Sequence, residues 1–249
     1  YIRNPIDFYL KKILKIKDQQ QVEEIVAAST LGTIVHDTLE VLYTPFVSRV
    51  LSATDLESLY PKIEDEVTTQ FIKSFKGGDF SRGKNLLIFE VAKKYVSNFI
   101  DFEIREVNAG HEIRIKALEK ADLAIQLKVP GVHFPIRVGG KVDRIDSYDG
   151  QLRIIDYKTG KVEPKDLVVS DWQKIRNDYD FSKAFQVLTY ALIYHDTEAF
   201  DKASGGIISF KNLGKGFLKF TEKTDKKNTE ITQETLDLFK EQLVALIQE

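Results

Sequence analysis

Hydrophobic residues follow a helical spacing in the first half of the chain. They recur every three or four positions up to about residue 110, which predicts amphipathic helices. The predicted helices are Pro5–Ile16, Leu31–Tyr43 capped by Ser29 or Thr30, Leu56–Phe75 capped by Thr54, and Asn85–Val107. Pro61 interrupts or delays the third helix, and Gly77-Gly78 breaks the pattern after it. We therefore expect residues 1–110 to be mostly helical.

Short apolar and alternating runs predominate after residue 110, and these predict β-strands. The predicted strands are His111–Ala117, Asp122–Val129, Phe134–Ser147, Gln151–Tyr157, Gly205–Phe210 and Phe217–Thr221. Two more helices are predicted, Lys183–Tyr194 with Ser182 as its cap and Thr232–Gln248. Since the sequence contains no repeat, low-complexity tract or linker, we expect one α/β domain over residues 1–249, with a helical N-terminal extension.

The segment from Gly139 to Gly160 carries the most chemical information. It reads as two strands joined at Asp149-Gly150, and a two-residue turn there would place Asp143 opposite Asp156. Side chains alternate along a strand, so Asp156 and Lys158 project to the same side. A four-residue turn would keep both carboxylates on one face, whereas a three-residue turn would separate them. Opposed carboxylates repel unless a cation lies between them, so the hairpin predicts half of a metal site.

The alternative for this hairpin is an exposed ribbon with charges on its solvated face. Val142 and Ile154-Ile155 flank the acidic residues on both strand faces, which favours a buried strand pair. Buried carboxylates need partners. The arrangement of an aspartate and a lysine directly after an apolar run therefore points to a site.

Composition limits the classes of protein and partner. With 43% hydrophobic and 30% charged residues, the chain is typical of a globular protein with a core. A net charge of −2 means that any contact with a polyanion must come from a local groove. The sequence has no cysteine, which excludes disulfides, thiolate-held zinc and iron–sulfur clusters. No apolar run approaches the roughly 18–20 residues of a membrane span, so we expect no membrane association and a cytoplasmic location. Since the chain begins at Tyr1 without an initiator methionine and already inside an apparent helix start, we expect a domain of a larger protein.

Two helices offer further polar groups. His36 lies one turn after Gly32, where a small residue allows close approach of another backbone, and neutral imidazole is a common metal ligand. Lys183, Gln186 and Tyr190 form a row on one helix and can contact phosphate oxygens or stack on a base. Taken alone, each of these residues is more often a packing or solvated side chain.

Arg144 and Glu119 are weaker candidates. Arg144 follows Asp143 and points the opposite way in the strand, so we expect it to support the fold or pair with an acid. Glu119 lies between two predicted strands, where it could add a further carboxylate, but solvation at the surface is the better interpretation.

Five short motifs occur in a specific order along the chain. They are Asn4-Pro5-x-x-Phe8-Tyr9-Leu10, Leu31-Gly32-x-x-x-His36, Gly140-x-x-Asp143-Arg144-x-Asp146, Asp156-Tyr157-Lys158-Thr159-Gly160 and Gln186-x-x-x-Tyr190. In this order they resemble the RecB-like branch of the PD-(D/E)XK nuclease superfamily, and in particular the C-terminal nuclease domains of AddB-type helicase–nuclease subunits. Each motif is weak alone, but together they cover roughly three quarters of the chain. The resemblance implies a mixed central sheet flanked by helices, with His36 in a mostly helical region over residues 1–110 and the catalytic core in residues 111–249.

The resemblance also implies a role for each matching residue. The metal ligands would be His36, Asp143, Asp156 and the backbone carbonyl of Tyr157, and the metal would be Mg²⁺, with Mn²⁺ as a substitute. Asp143, Asp156 and Lys158 would be the catalytic residues. The nucleic-acid contacts would be Gln186 and Tyr190, with Arg144 and Lys183 as further candidates. Relatives with an iron–sulfur cluster carry a cysteine where this chain has Asn4, so no such cluster is expected here.

The expected function is Mg²⁺-dependent hydrolysis of DNA, as an exonuclease on single strands or ends in recombination and repair, with a helicase domain or subunit as partner. One alternative is a catalytically silent nuclease-like module that binds DNA or assembles a helicase complex. Another is an enzyme that uses Lys158 as a Schiff-base nucleophile, which the neighbouring acids disfavour because they keep a lysine charged. Cleavage mode, polarity and the choice between DNA and RNA stay open at this stage.

Overall fold

A mixed five-stranded sheet lies at the centre of the protein, whose computed structural model describes residues 4–16, 24–223 and 227–249. The strands are β1 (Ile113–Leu127), β2 (Ile136–Tyr148), β3 (Gln151–Lys158), β4 (Val168–Val169), β5 (Ser204–Ser209), β6 (Phe217–Lys219), β7 (Thr221–Lys223) and β8 (Lys227–Asn228). The order in the main sheet is β1-β2-β3-β5-β6, and β4, β7 and β8 form a second, small sheet. In the main sheet β3 and β5 run parallel, while the other neighbours are antiparallel. The predicted mixed α/β architecture is confirmed.

Helices flank this sheet. They are α1 (Pro5–Phe8), α2 (Ala28–Tyr43), α3 (Ala53–Glu57), α4 (Ile63–Ser74), α5 (Gly83–Asn108), α6 (Ser182–Thr197) and α7 (Gln233–Gln248). The predicted long helix Asn85–Val107 is α5. The predicted terminal helix is α7, whose N-cap is Thr232 with its side chain bonded to the backbone of Thr235.

Two apolar cores lie on either side of the sheet. One packs α2, α4 and α5 against the β3 residues Ile155 and Tyr157, and the other packs α6 and α7 against Ile154. Successive residues of β3 thus enter opposite cores, which explains why its apolar run is continuous rather than alternating. Fully burying such a side chain contributes about 1.5–3 kcal/mol, so both helical layers are held firmly on the strands that carry the acidic motifs.

The hairpin between β2 and β3 has the predicted turn. Asp149 and Gly150 have φ angles of +51° and +82°, as a two-residue hairpin turn with two left-handed positions requires. Tyr148 pairs with Gln151, and the ladder continues to the pair of Arg144 and Ile155. The predicted register is therefore confirmed.

The first strand differs from the prediction. The sequence pattern divides it into His111–Ala117 and Asp122–Val129, but β1 is one strand of 15 residues. Two register shifts against β2 interrupt its pairing, and Glu119 and Asp122 adopt positive φ angles of +43° and +67°. The polar break in the sequence is an irregular stretch within a continuous strand, because a bulge absorbs extra residues without ending the pairing.

The predicted starts of three helices are wrong. The N-cap of α6 is Phe181 rather than Ser182, which is the first residue of the helix. The N-cap of α2 is Ala27 rather than Ser29 or Thr30. Ser52, not Thr54, caps α3, and it forms a capping box with Asp55.

Two predicted helices are shorter than their apolar patterns. The pattern Leu56–Phe75 is divided into α3 and α4 by a 3₁₀ turn over Tyr60–Lys62, which contains Pro61. The pattern Pro5–Ile16 holds an α-helix only to Phe8, followed by a π-helical turn, and its apolar side chains are exposed.

Candidate functional site

The site begins where the ladder between β2 and β3 ends. The last pair of the ladder is Arg144 with Ile155. Beyond it, the Asp143 side chain takes the place of a backbone acceptor, since its Oδ2 accepts the backbone N–H of Tyr157 at 2.7 Å. Asp156 is 2% exposed, and its two carboxylate oxygens lie 2.9 and 2.7 Å from the Lys158 ammonium. The hairpin therefore brings two buried carboxylates and a lysine to one end of the sheet.

His36 reaches this end of the sheet from α2. Its Nε2 lies 3.1 Å from the carbonyl oxygen of Tyr157 and donates to it, and its ring packs edge-on against the Tyr157 ring. Gly32, one turn earlier, faces Thr159; a Cβ built at Gly32 would lie 3.7 Å from the Thr159 hydroxyl oxygen, an ordinary contact. The helix thus packs closely on the loop after β3, although this spacing would also accept an alanine.

Glu119 joins the same group, and the expectation that it is solvated is wrong. Its side chain is 5% exposed, and Oε1 lies 3.6 Å from Nδ1 of His36, which is also 3.5 Å from Oδ1 of Asp143. The β1–β2 pairs on either side place Glu119 beside Asp143. Its second oxygen lies 2.6 Å from the ammonium of Lys141. Treating β1 as one strand paired with β2 would have predicted that Glu119 lies beside Asp143. The prediction of two separate strands concealed this.

Two ionisable groups of the site are strongly perturbed. Burial lowers the pKa of His36, but the Asp143 and Glu119 carboxylates outweigh it and raise that pKa to about 10. Burial raises the pKa of Asp156 to about 7, and the negative charge of Asp143 adds to this rise against the opposing effect of Lys158. In the protein alone, a protonated His36 therefore balances part of the acidic charge.

The donor set suits a hard divalent cation. Within the described residues, His36, Glu119 and Asp143 each offer a ligand atom, and these atoms lie within 4.8 Å of one another. Asp156 lies outside this trio, yet its Oδ2 is buried without a hydrogen-bond partner among the described residues, although it lies close to the Lys158 ammonium. Carboxylate, carbonyl and imidazole groups are ligands for Mg²⁺ and Mn²⁺. A cation would relieve the repulsion between these carboxylates, so the residues fit such an ion.

Lys158 continues into a row of polar groups on α6. Gln186 Oε1 accepts from the Lys158 ammonium at 3.0 Å, and Gln186 Nε2 donates to the hydroxyl of Tyr190 at 2.7 Å. Gly140 permits this packing, since a Cβ there would lie 3.2 Å from Tyr190 Cε1 and 3.3 Å from Ile193. The predicted row therefore connects directly to the lysine of the hairpin.

Lys183 lies on the same helix but has a different partner. Its ammonium is 3.2 Å from Oδ2 of Asp166, in the segment after β3. Lys183 lies one helical turn before Gln186, so it is beside the site, but its ion pair is with Asp166 rather than with Asp143 or Asp156.

Arg144 is buried, so the expectation that it contacts nucleic acid is not supported. Its side chain is 1% exposed and lies 2.8 Å from both Glu103 of α5 and Asp146. Its guanidinium also donates to the Tyr157 hydroxyl at 3.4 Å. Arg144 therefore has the supporting role that its alternation in the strand predicts, holding the residue whose carbonyl faces His36.

The chain is similar to a known protein and matches a known family. A protein of Rickettsia bellii (strain RML369-C) described as "Uncharacterized protein" is 24% identical over 267 aligned positions, which cover 99% of this chain and 28% of that protein. The chain thus spans little more than a quarter of that relative's length. Among the described residues, no helix is long and apolar enough to cross a membrane. Residues 1–249 match the family described as the PD-(D/E)XK nuclease superfamily, and the chain belongs to that superfamily.

Proposed function

We propose that this chain is a divalent-metal-dependent nuclease of the RecB-like branch that hydrolyses DNA phosphodiester bonds. The observation that carries the proposal is the convergence of His36, Asp143, Asp156 and Lys158 at one end of the sheet. These residues come from one helix and two strands. Burial of their carboxylates is unfavourable in free energy unless a charged partner or ligand compensates it. A catalytic role explains why the fold keeps them together.

The proposed ligands of the metal are His36, Asp143, Asp156 and the carbonyl of Tyr157, and we add Glu119 to this set. A divalent ion, when bound, supplies a Lewis acid that activates water and polarises the phosphoryl oxygen. His36 would give up its extra proton on binding, since only an unprotonated ring nitrogen can act as a ligand. Lys141 would hold Glu119 in place through the 2.6 Å ion pair.

Lys158 has the position of a charge-stabilising residue in this proposal. The carboxylate of Asp156 and the amide oxygen of Gln186 fix its ammonium, which retains a donor for a phosphate oxygen. A positive charge held beside acids favours stabilisation of developing negative charge over proton abstraction. Tyr190, bonded to Gln186, would place its ring and hydroxyl against the strand being cut.

We propose single strands or DNA ends as the substrate, exonucleolytic cleavage in recombination and repair, and work within a larger protein that includes or binds a helicase. The greater length of the Rickettsia relative supports work within a larger protein. The net charge is −2, so the chain has no excess of basic residues with which to wrap a duplex.

The test is cleavage of oligonucleotides labelled at the 5′ or the 3′ end, as single strands, duplexes and RNA. Each substrate is incubated with Mg²⁺, Mn²⁺, Ca²⁺ or EDTA. We expect cleavage of single-stranded DNA in Mg²⁺ and Mn²⁺, none in EDTA, and loss of cleavage in Asp143→Asn. The size of the labelled products separates exonuclease from endonuclease action.

The catalytically silent alternative gives a different pattern. Protein that binds the labelled strands but leaves them intact under every metal would contradict nuclease activity and favour a DNA-binding or assembly module. Cleavage that Asp143→Asn leaves unchanged would point to a contaminating nuclease.

A further inference from the structure

A groove lies at the start of α6, beside the candidate site. We call it the α6 groove and define it by Lys165, Ser170, Tyr179, Ser182, Lys183 and Lys223. Its volume is about 610 Å³, within the range of roughly 300–1,000 Å³ that is typical of pockets for small ligands. This size admits one or two nucleotides of a single strand rather than a duplex.

The charges of the α6 groove favour an anion. Lys165 and Lys223 both line the groove, are exposed, and form no ion pair with any described residue. Lys183 is neutralised by Asp166 at 3.2 Å, and Asp180 is a further acidic residue of the lining. The balance is one positive charge in a chain whose net charge is −2, so the groove is a local basic feature.

The α6 groove and the proposed catalytic lysine are linked through α6. Lys183 on its wall precedes Gln186 by three residues, and neighbours at that spacing lie on the same face of a helix. Gln186 in turn bonds Lys158 at 3.0 Å. A strand whose phosphate lies at Lys158 would therefore have its next nucleotides at the mouth of the groove, because three residues advance a helix by only about 4.5 Å.

Tyr179 adds a surface for a base. Its side chain is 50% exposed at the edge of the α6 groove. Aromatic faces stack on bases of any sequence, and free lysines neutralise phosphates without reading sequence. Together they match a single polynucleotide strand better than an isolated phosphate.

We propose that the α6 groove binds the single strand next to the scissile phosphate, through Lys165 and Lys223 on its phosphates and Tyr179 on a base. This inference rests on the proposed nuclease function and extends it to the path of the substrate.

Binding of a fluorescein-labelled oligothymidylate in EDTA, followed by fluorescence anisotropy, tests the groove without cleavage. The variant is Lys165→Ala/Lys223→Ala, and the control is Lys94→Ala, an exposed lysine of α5. We expect the double variant to raise Kd about tenfold and to lower the slope of log Kd against log salt by about 1.4, since each phosphate contact on a single strand contributes about 0.7. A Kd and slope equal to those of Lys94→Ala would overturn the proposal.

A second substrate separates the groove from the chemistry. Bis(p-nitrophenyl) phosphate has no flanking nucleotides, so the double variant should hydrolyse it at the wild-type rate while its KM for DNA rises. Equal losses on both substrates would contradict the proposal, because the lysines would then act on the catalytic site. Wild-type protein that hydrolyses neither substrate would refute the proposed function, and the anisotropy titration would still decide the groove.

Discussion

At the scale of single residues, three buried carboxylates share one end of the sheet with three cationic groups. Asp143, Asp156 and Glu119 are all buried, and beside them stand Lys158, Lys141 and a histidine whose pKa rises to about 10. Perturbed ionisable groups gathered in one place are typical of functional sites. Such a site lowers the free energy of unfolding, and a substitution that removes one of the buried charges can raise it.

Asp156→Asn should stabilise the protein in EDTA. The ordinary pKa of Asp156 is 3.8 and its folded pKa is about 7, so ionisation costs stability progressively above pH 3.8 and fully above about pH 7. Asparagine removes that cost, and the gain at pH 8 should be at least about 1.4 kcal/mol, the value of one pKa unit. Urea unfolding at pH 5 and pH 8 measures it. A gain that shrinks as the pH rises would contradict this assignment.

Glu119→Gln should weaken metal binding. The amide keeps the shape of the side chain but removes the charge beside His36 and Asp143, and we expect the Kd for Mn²⁺ to rise roughly tenfold. Electron paramagnetic resonance of free Mn²⁺ measures binding directly. Glu112→Gln, at the exposed edge before β1, is the matched control. Equal affinities of the two variants would remove Glu119 from the metal site.

At the scale of elements, two glycines lie where helices face the strands and loop that carry the acidic motifs. Gly140 of β2 faces Tyr190 and Ile193 of α6, and Gly32 of α2 faces Thr159. The available space differs, because a Cβ would meet Tyr190 at 3.2 Å but Thr159 at 3.7 Å. Only the first contact is so tight that the neighbouring side chains must shift by a few tenths of an ångström to admit a Cβ.

Gly140→Ala and Gly32→Ala should therefore change stability in opposite directions. Tyr190 and Ile193 must shift to admit a methyl group at Gly140, and overpacking of this kind costs about 1–3 kcal/mol. Alanine at Gly32 meets an ordinary contact inside a helix, where it is favoured over glycine by up to about 1 kcal/mol. Urea denaturation of both variants compares them. A Gly140→Ala protein as stable as wild type would contradict the described packing.

At the scale of the whole molecule, a buried ion network ties the helical layer to the sheet. Arg144 of β2 joins Glu103 of α5, and Arg153 of β3 adds a second guanidinium at Asp146. The Arg144 guanidinium also lies over the rings of Tyr43 and Phe99, at 5.5 and 5.9 Å. The network underlies Tyr157 and so supports the geometry of the site from the opposite face of the sheet.

Glu103→Ala should lower the free energy of unfolding by about 3–5 kcal/mol, because it leaves the buried Arg144 charge without one of its carboxylates. The matched control is Glu230→Ala, which removes an exposed ion pair with Lys202 and should cost no more than about 1 kcal/mol. Denaturant titrations provide both values. A loss at Glu103 no greater than that at Glu230 would show that the network does not tie the layers together.

Much of this architecture was predictable from the sequence because local rules dominate there. The Asp149-Gly150 turn sets the register of the hairpin, and the apolar spacing of α5 and α7 locates those helices. Glu119 was not predictable in the same way, since its burial depends on a strand that continues through a polar stretch. The burial of Arg144 was not predictable either, because it depends on packing against Glu103 of α5, and local patterns do not reveal contacts between residues distant in sequence.

The central claim is that Lys158 stabilises charge during phosphodiester hydrolysis at this site. Single-turnover cleavage of a 5′-labelled single strand in saturating Mg²⁺ tests it, with Lys158→Ala compared with Lys161→Ala, an exposed lysine three residues on. We predict that Lys158→Ala slows cleavage by at least about 100-fold while both variants bind the strand as the wild type does. Equal cleavage rates for the two variants would contradict the account.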